Sequence, residues 1–282
     1  MYLSELLKIG TNMLRDKKID SYQIDTELML AKIANTSREK ILINENINID
    51  NKKVKNFKKM LERRGNSSEP MAYILNKREF WNTDLFVNKD VLIPRPETEL
   101  IVDKLKEIFK NHSPYVLDVG TGSGCIIISL LEELKKSKGV AIDISHMALR
   151  VARKNAKKNK TFNRVNFQRK SIESFFNKKF DLIVSNPPYI PRWQLKNLMK
   201  DVKFFEPKLA LDGGNDGLDV IKKVIYKSKR ILKIKGLLAL EIGNGQYSKI
   251  SQILKLNKFR EKFLIRDYQK NIRCIISVLE NN

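Results

Sequence analysis

A short apolar strand runs into a glycine loop at Leu117-Asp118-Val119-Gly120-Thr121-Gly122-Ser123-Gly124, and an apolar helix over 126–134 follows. Glycine is needed where a chain turns sharply or where a ligand approaches the backbone closely. The start of the helix also offers free amide donors and the positive end of the helix dipole. Many nucleotide-binding proteins contain such a turn, and it also occurs simply as a tight turn. The loop therefore indicates a binding site only together with its surroundings.

Strands and helices alternate from about residue 96 to the end of the chain. Apolar strands are predicted near 115–119, 140–144, 165–168, 181–184, 237–242, 262–266 and 274–279. Such alternation is typical of right-handed crossovers and of a mostly parallel sheet that is covered on both faces. We therefore predict an α/β fold for 96–282.

The region before residue 96 has a different pattern. Leu3, Leu6, Leu7 and Leu14 recur at helical spacing, and a helix is expected to end near 65–68. A small helical bundle over 1–75 is the expected product. Residues 76–95 contain β-rich pieces split by polar turns, which predict a hairpin linker. The pieces are Phe80-Trp81, Leu85-Phe86-Val87 and Val91-Leu92-Ile93.

Composition excludes several classes of protein. Only two cysteines and two histidines occur in 282 residues, so we expect no metal site of the structural zinc kind. No apolar run approaches the roughly 20 residues that cross a bilayer. The first residues lack the pattern of a secretory signal, and both cysteines lie in apolar stretches. Reduced thiols and a cytoplasmic location are expected.

The formal net charge of +23 has two interpretations. A strongly basic protein is expected to attract nucleic acid or an acidic partner. Lysine is abundant throughout the chain, however, and its basic runs at 153–160 and 222–235 lie on amphipathic helix patterns, where a solvated face is the usual explanation. Compositional drift is somewhat favoured as the explanation of the charge. Nucleic acid is a possible partner, but the sequence does not require one.

An acidic residue, Asp143, ends the strand that follows the glycine loop, about 20 residues further along the chain. A carboxylate at this position can accept both ribose hydroxyls of an adenosine group. This spacing fits NAD as well as S-adenosylmethionine. The glycine order in Gly120–Gly124 lacks the G-x-G-x-x-G phosphate pattern, and a methyl donor has no pyrophosphate to bind. S-adenosyl-L-methionine is therefore the favoured cofactor.

Directly after the predicted strand at 181–184 comes Asn186-Pro187-Pro188-Tyr189. Ligands of open α/β sheets bind beyond the carboxyl ends of the strands, so the four residues are expected beside the cofactor. The prolines stiffen the turn. The Asn186 side-chain oxygen and the Pro187 carbonyl can both accept hydrogen bonds from one NH₂ group, and Tyr189 offers an aromatic face. A fixed pair of acceptors would align a planar nitrogen with the methyl group, which is catalysis by positioning.

Over nearly its whole length the chain resembles the release-factor glutamine methyltransferases, also called the HemK or PrmC family. The resemblance rests on segments outside the Asn-Pro-Pro-Tyr turn, because that turn is shared with methyltransferases that act on DNA adenine and rRNA guanine. The segments are Arg63-Arg64, Glu69–Ile74, Glu79–Trp81, Leu92–Glu99, Phe205–Gly214, Leu240–Gly243 and Gln246.

The resemblance implies a helical substrate-recognition domain over 1–75, a β-hairpin linker over 76–95 and a seven-stranded, Rossmann-like class I methyltransferase domain over 96–282. It implies that the substrate is the glutamine of the Gly-Gly-Gln motif in peptide chain release factors. By that likeness the cofactor contacts are Gly120, Thr121, Gly122, Ser123, Gly124, Asp143 and Asn186. The glutamine pocket is formed by Asn186, Pro187, Pro188 and Tyr189.

Further roles follow from the same resemblance. Arg95, Glu97 and Thr98 are expected over the cofactor cleft, and Glu206 is expected to order the loop after Tyr189. A monomer is expected, without membrane association.

Two places depart from the family pattern. Lys170 and Ser171 stand where the family has an acidic and then a bulky apolar residue against adenine, so the adenine contact is expected through backbone or through Ile172. The late turn lacks the family's glycine, and Asn271 is expected to take the left-handed conformation there.

Two alternatives stay open. One is a nucleic-acid amine methyltransferase, which the Asn186–Tyr189 turn and the basic charge permit, although no base-reading module is recognisable. The other is a binding module with a decayed catalytic centre, for which Lys170 and Ser171 are the motivation.

Overall fold

The computed structural model describes residues 1–43, 47–176 and 180–280. The contacts divide the chain into two compact units. Unit 1 comprises Met1–Asn76 and Met199–Phe205, and unit 2 comprises Lys77–Leu198 and Glu206–Asn282. The last two residues of the predicted 96–282 domain lie outside the described residues.

Unit 1 is helical. Its helices are α1 (Leu3–Asp16), α2 (Tyr22–Ala34), α3 (Arg38–Ile43), α4 (Asn51–Ser67) and α5 (Met71–Leu75). They enclose a core that includes Leu3, Leu6, Leu14 and Phe57, all fully buried. Helix α4 ends at Ser67, and the next residue, Ser68, has a φ of 56° that stops the helix within the predicted stretch.

Unit 2 begins with a short antiparallel hairpin and continues as an alternating α/β chain. The hairpin strands are β1 (Arg78–Phe80) and β2 (Thr83–Leu85). The later elements are α6 (Pro96–Ile108), β3 (Tyr115–Val119), α7 (Cys125–Glu133), β4 (Lys138–Asp143), α8 (His146–Lys158), β5 (Val165–Arg169), β6 (Phe180–Ser185), α9 (Lys200–Phe205, assigned to unit 1), α10 (Asp219–Ile231), β7 (Leu232–Glu241), α11 (Tyr247–Leu256), β8 (Phe259–Arg266) and β9 (Ile272–Leu279).

Seven strands form the main sheet, in the order β5-β4-β3-β6-β7-β9-β8. The first five are parallel, and β9 pairs antiparallel with both β7 and β8. The chain leaves β3 toward one edge and returns to its other side at β6, which creates a switch point between these two strands. The loops after β3 and β6 lie next to each other there, because Val119 pairs with Ser185.

Both faces of the sheet are buried, which explains the continuous apolar runs in its strands. Along β3, Leu117 packs into the core on one face, and Val116 packs into the core on the other. The predicted seven-stranded α/β fold is confirmed. Within the described ranges, no helix has the length and apolar character to cross a membrane.

Three local features differ from the sequence prediction. Val91–Ile93 forms no strand, since prolines follow closely and the Ile93 amide donates to the side chain of Glu206. The left-handed residue of the late turn is Lys270, with a φ of 65°, because the Asn271 amide is held by the Asp267 carboxylate at 2.9 Å. Helices α9 and α11 were not predicted.

Candidate active site

The glycine loop after β3 has a left-handed backbone beside open space. Gly122 has a φ of 54°, and a Cβ atom added there would meet no neighbour closer than 4.0 Å. Gly124 has a φ of 83° and packs tightly, since a Cβ there would lie 2.9 Å from a side chain of α7. The amides of Gly120 and Thr121 donate to the Ile142 carbonyl at 2.9 and 3.0 Å. The loop is thus pinned to β4 while one side stays accessible.

Asp143, at the end of β4, faces this loop. Its carboxylate accepts hydrogen bonds from the Gly122 amide at 3.0 Å and from the Ser145 amide at 2.8 Å. Burial raises the pKa of Asp143, and the amide hydrogen bonds oppose that shift. Each carboxylate oxygen has further lone pairs, so the group can still accept hydroxyls from a ligand.

The Asn186 turn begins where β6 ends. The Ser185 hydroxyl donates to the Val119 carbonyl at 2.7 Å, which ties the turn to the start of the glycine loop. The side-chain nitrogen of Asn186, Nδ2, donates to the Thr98 hydroxyl at 3.1 Å. At the far end of the turn, Gln246 donates to the Tyr189 carbonyl at 2.9 Å.

One cavity of about 450 Å³ lies over the switch point, within unit 2. Of the predicted site residues, it is lined by Gly120, Thr121, Gly122, Ser123, Asp143, Asn186 and Pro188. Three predicted residues do not line it: Gly124, Pro187 and Tyr189. Gly124 caps α7, Pro187 is buried, and Tyr189 packs against the apolar core. The cavity falls in the size range of small-molecule sites.

A buried polar network stands behind the turn. Glu241, at the end of β7, is fully buried and accepts a hydrogen bond from the Thr98 hydroxyl at 2.6 Å. The Tyr189 hydroxyl donates to the same carboxylate at 3.3 Å and accepts from Arg273 at 3.4 Å. Burial raises the pKa of Glu241 to about 7, and burial together with the nearby Glu241 carboxylate raises the pKa of Tyr189 to about 12.

The segment before α6 is anchored by Glu206. This side chain is 1% exposed, and it accepts hydrogen bonds from Arg95 at 2.5 Å and from the Ile93 amide at 3.3 Å. Arg95 and Thr98 line the cavity, whereas Glu97 is not among its lining residues.

At the other end of the cavity, Lys170, Ser171, Ile172 and Glu173 form part of the wall. The Lys170 amide donates to the Asp143 carbonyl at 3.1 Å, and the Lys170 ammonium lies 5.7 Å from the centre of a phenylalanine ring. Ile172 supplies buried apolar surface here. The wall therefore combines backbone groups with an aliphatic side chain.

Sequence reasoning assigned no role to Glu241 or Arg273, and it did not foresee the contact between Asn186 and Thr98. Glu241 stood in one of the resembling segments, which was the available signal. A glutamate at the end of an apolar strand is an exception to the strand's burial pattern, and buried carboxylates require partners.

The architecture is that of the class I methyltransferases. The ribosomal protein L11 methylase of Lactobacillus delbrueckii subsp. bulgaricus matches with a TM-score of 0.53 and 21% identity, covering 69% of this chain and 84% of that chain. A methyltransferase from Pyrococcus furiosus matches with a TM-score of 0.55 and 18% identity, covering 71% and 91%. At these identities the likeness concerns the fold. The open glycine loop, the Asp143 carboxylate and the cavity volume fit S-adenosylmethionine as the methyl donor.

Sequence comparison defines the family. Residues 5–75 match the PrmC N-terminal domain, and residues 96–202 match the methyltransferase small domain. The release factor glutamine methyltransferase of Caulobacter vibrioides is 37% identical, over 94% of this chain and 92% of that protein. The protein of the same description from Clostridium botulinum is 36% identical, over 98% of both. The chain belongs to the release factor glutamine methyltransferase family and is a methyltransferase.

Proposed function

We propose that this enzyme transfers a methyl group from S-adenosylmethionine to the side-chain amide nitrogen of the glutamine in the Gly-Gly-Gln motif of peptide chain release factors, and so supports translation termination. One observation carries the proposal: Asn186 and Pro188 line the same cavity as Gly120–Ser123 and Asp143. A hydrogen-bond acceptor for an amide, Asn186 Oδ1, would therefore lie beside the pocket for the methyl donor.

Different residues of the chain would bind different parts of the cofactor. Gly120–Ser123 would approach the cofactor with their backbone, Gly124 would allow the tight turn into α7 behind them, and the Asp143 carboxylate would accept the ribose hydroxyls of the cofactor. When bound, S-adenosylmethionine supplies an electrophilic methyl group on a positively charged sulfonium. Backbone groups at 170–171 and the Ile172 side chain would cover the adenine.

Asn186 Oδ1 and the Pro187 carbonyl are the two acceptors proposed for the N–H groups of the substrate amide, and of the two residues Asn186 lines the cavity. Their fixed positions would direct the nitrogen toward the methyl donor, Pro188 would form part of the pocket wall, and Tyr189 would support the turn from the core side. An amide nitrogen is a weak nucleophile, so alignment and exclusion of water contribute more than a base. The C–N bond would form as the bond between the methyl carbon and the sulfonium sulfur breaks, and the nitrogen would lose one proton after the transfer.

Unit 1 would recognise the release factor, consistent with the match of 5–75 to the PrmC N-terminal domain. We place the enzyme in the cytoplasm, acting as a monomer. Both cysteines are free, in keeping with a reducing compartment. Size-exclusion chromatography with light scattering tests the monomer, and a dimer mass would contradict it.

The test uses the purified enzyme, labelled S-adenosylmethionine and a release factor that carries either Gln or Ala in the Gly-Gly-Gln motif. We expect label on the Gln protein only, with the added mass located on that glutamine by peptide mass spectrometry. Equal labelling of the Ala protein would contradict the proposed substrate. Labelling of DNA or rRNA at low salt, with a steep loss as salt rises, would favour the nucleic-acid alternative instead.

A further inference from the structure

A chain of buried polar groups connects the Asn186 turn to β7. The Asn186 Nδ2 group donates to Thr98 Oγ1 at 3.1 Å, and Thr98 Oγ1 donates to Glu241 Oε2 at 2.6 Å. Thr98 is 1% exposed and Glu241 is fully buried, so no bulk water competes for these contacts. The shorter of the two distances is that of a hydrogen bond to a charged acceptor.

The number of available protons decides which group donates and which accepts in each of these hydrogen bonds. A threonine hydroxyl has one hydrogen to donate, and a carboxylate can only accept. The Thr98 hydrogen therefore belongs to Glu241, and the Thr98 oxygen can act toward Asn186 only as an acceptor. Asn186 must then present its NH₂ group to Thr98.

The opposite end of the Asn186 carboxamide is thereby fixed as well. Among the described residues, no hydrogen bond engages Asn186 Oδ1, and Asn186 lines the cavity. An oxygen at this place accepts a hydrogen bond from an amide NH₂, whereas a flipped Asn186 would offer a second NH₂ group and repel it.

We infer that Glu241 is a positioning residue that acts through Thr98 to set the orientation of the Asn186 carboxamide, so that the pocket accepts hydrogen bonds from the substrate NH₂ group. This role rests on the proposed function and extends it by two residues that do not touch the substrate. Tyr189, which donates to the other oxygen of Glu241 at 3.3 Å, is held by the same carboxylate.

Burial of a carboxylate without a full ion pair costs free energy, and an amide of equal shape would avoid that cost. Glutamine at 241 would still satisfy every neighbour, because its NH₂ group could donate to Thr98 and Thr98 could then donate to Asn186 Oδ1. That arrangement reverses each hydrogen bond and flips Asn186. Glutamate rather than glutamine is therefore required at 241 only if the orientation of the Asn186 carboxamide matters for the reaction.

The experiment compares Glu241→Gln, Thr98→Val and Thr98→Ser in the full-length enzyme. We expect Glu241→Gln and Thr98→Val each to lower kcat on the release factor by about 100-fold, the scale of losing one oriented hydrogen bond in a dry site. The dissociation constant for S-adenosylmethionine should change less than about threefold, since it is set mainly by the glycine loop and Asp143. Thr98→Ser keeps the hydroxyl and should recover most of the activity that Thr98→Val loses.

Controls separate positioning from folding. Asp103→Asn changes an exposed carboxylate on the same helix as Thr98 and should leave both constants unaltered. The Glu241→Gln protein should unfold at the same or a higher temperature than the wild type at pH 8. The double variant Glu241→Gln/Thr98→Val should be no slower than either single variant, because both changes act through one carboxamide. A folded Glu241→Gln enzyme with wild-type kcat would overturn the inference.

Nuclear magnetic resonance of side-chain amides reports on the orientation of the Asn186 carboxamide without any need for turnover. The Asn186 NH₂ signals, assigned by their loss in Asn186→Asp, should shift in Glu241→Gln and in Thr98→Val but not in Asp103→Asn. If the wild type does not methylate the release factor while these signals shift as expected, the substrate assignment fails and the positioning role stands. Unshifted signals in both variants would refute the positioning role.

Discussion

The glycine loop takes its shape from one strand–loop–helix–strand unit, β3 to β4, whereas the Asn186 turn is held by side chains from distant parts of the sequence. Asp143 is 21 residues from its partner Gly122. Asn186 is 88 residues from Thr98, and Thr98 is 143 residues from Glu241. The cofactor side is therefore a local backbone feature, and the substrate side depends on the tertiary fold. Changes on the first side should alter affinity for the cofactor, and changes on the second should alter the rate of transfer.

The largest expected effect belongs to Asn186→Ala. Removal of the carboxamide takes away one of the two acceptors that orient the substrate nitrogen, and we expect transfer to fall by at least about 1,000-fold. Single-turnover kinetics with the release factor measure this loss. Circular dichroism should show an unchanged fold, and near-normal turnover in a folded variant would contradict the assignment of the pocket.

Asp143→Asn should produce the converse pattern. A neutral amide accepts ribose hydroxyls more weakly than a carboxylate does, so we expect the dissociation constant for S-adenosylmethionine to rise about 30-fold, equivalent to about 2 kcal/mol. At saturating cofactor the rate should return to near the wild-type value. Calorimetry gives the first quantity and turnover at high cofactor gives the second. A large loss of kcat at saturation would break the division between the two sides.

Arg95→Ala tests the anchor that holds the segment before α6. The Glu206 carboxylate would lose its ion pair with Arg95, and we expect a destabilisation of about 1.5 kcal/mol, kept modest because Arg95 is about one-third exposed. Urea denaturation measures it. The matched variant Arg95→Ala/Glu206→Gln removes the buried charge as well and should recover part of the loss. Equal stability of Arg95→Ala and the wild type would show that the pair contributes nothing.

Transfer should also depend on pH through Glu241, whose pKa burial raises to about 7 from its ordinary value of 4.5. The charged or titratable groups around it are Glu97, Cys125, Tyr189, Arg273 and Cys274. Protonation below pH 7 gives the carboxyl a proton to donate, so it no longer fixes the Thr98 hydrogen. We expect kcat to fall several-fold between pH 8 and pH 6.

Stability should respond in the opposite direction. The folded protein binds the Glu241 proton more tightly than the unfolded chain does, so the contribution of this group to the free energy of unfolding decreases as pH rises from 4.5 to about 7. Both dependences should be weaker in Glu241→Gln. An identical pH profile in that variant would assign the titration to another group.

The smallest effect is expected for Lys170→Ala. The Lys170 amide holds the Asp143 carbonyl and is unaffected by the substitution, and its side chain lies against a phenylalanine ring. Affinity for the cofactor should change by less than about threefold, the scale of one exposed cation–π contact. Calorimetry would reveal a larger change if the ammonium group bound the cofactor directly.

The contrast between local and long-range contacts also explains how much of the fold could be predicted from the sequence. The strands, the glycine loop and Asp143 follow from apolar runs and short-range spacing, and the strand predicted over 115–119 matches β3. Helix α9 has only six residues and none of them is buried, so it is too short to show an apolar stripe at helical spacing. Val91–Ile93 looked like a strand because apolar content alone does not reveal that a distant glutamate binds the backbone there.

The candidate site divides in the same way. Which residues surround the switch point could be predicted, since the fold brings the carboxyl ends of β3 and β6 together. The contacts of Asn186 with Thr98, and of Thr98 with Glu241, could not be predicted, because nothing local in the sequence relates residues so far apart. The substrate and cofactor roles of the individual residues stay predictions until the variants are measured.

The side chain of Gln246 braces the Asn186 turn from outside. Its amide nitrogen binds the carbonyls of Tyr189 and Gly217 at 2.9 and 3.4 Å, and its oxygen accepts the Gly243 amide at 2.9 Å. A turn braced to two other segments has little freedom left to lose when a ligand arrives. Most of the ordering entropy of association would then fall on the Gly-Gly-Gln loop of the substrate, since glycine has the most conformational freedom to lose. Cyclic peptides that hold that loop in its bound shape should consequently bind more tightly than linear ones.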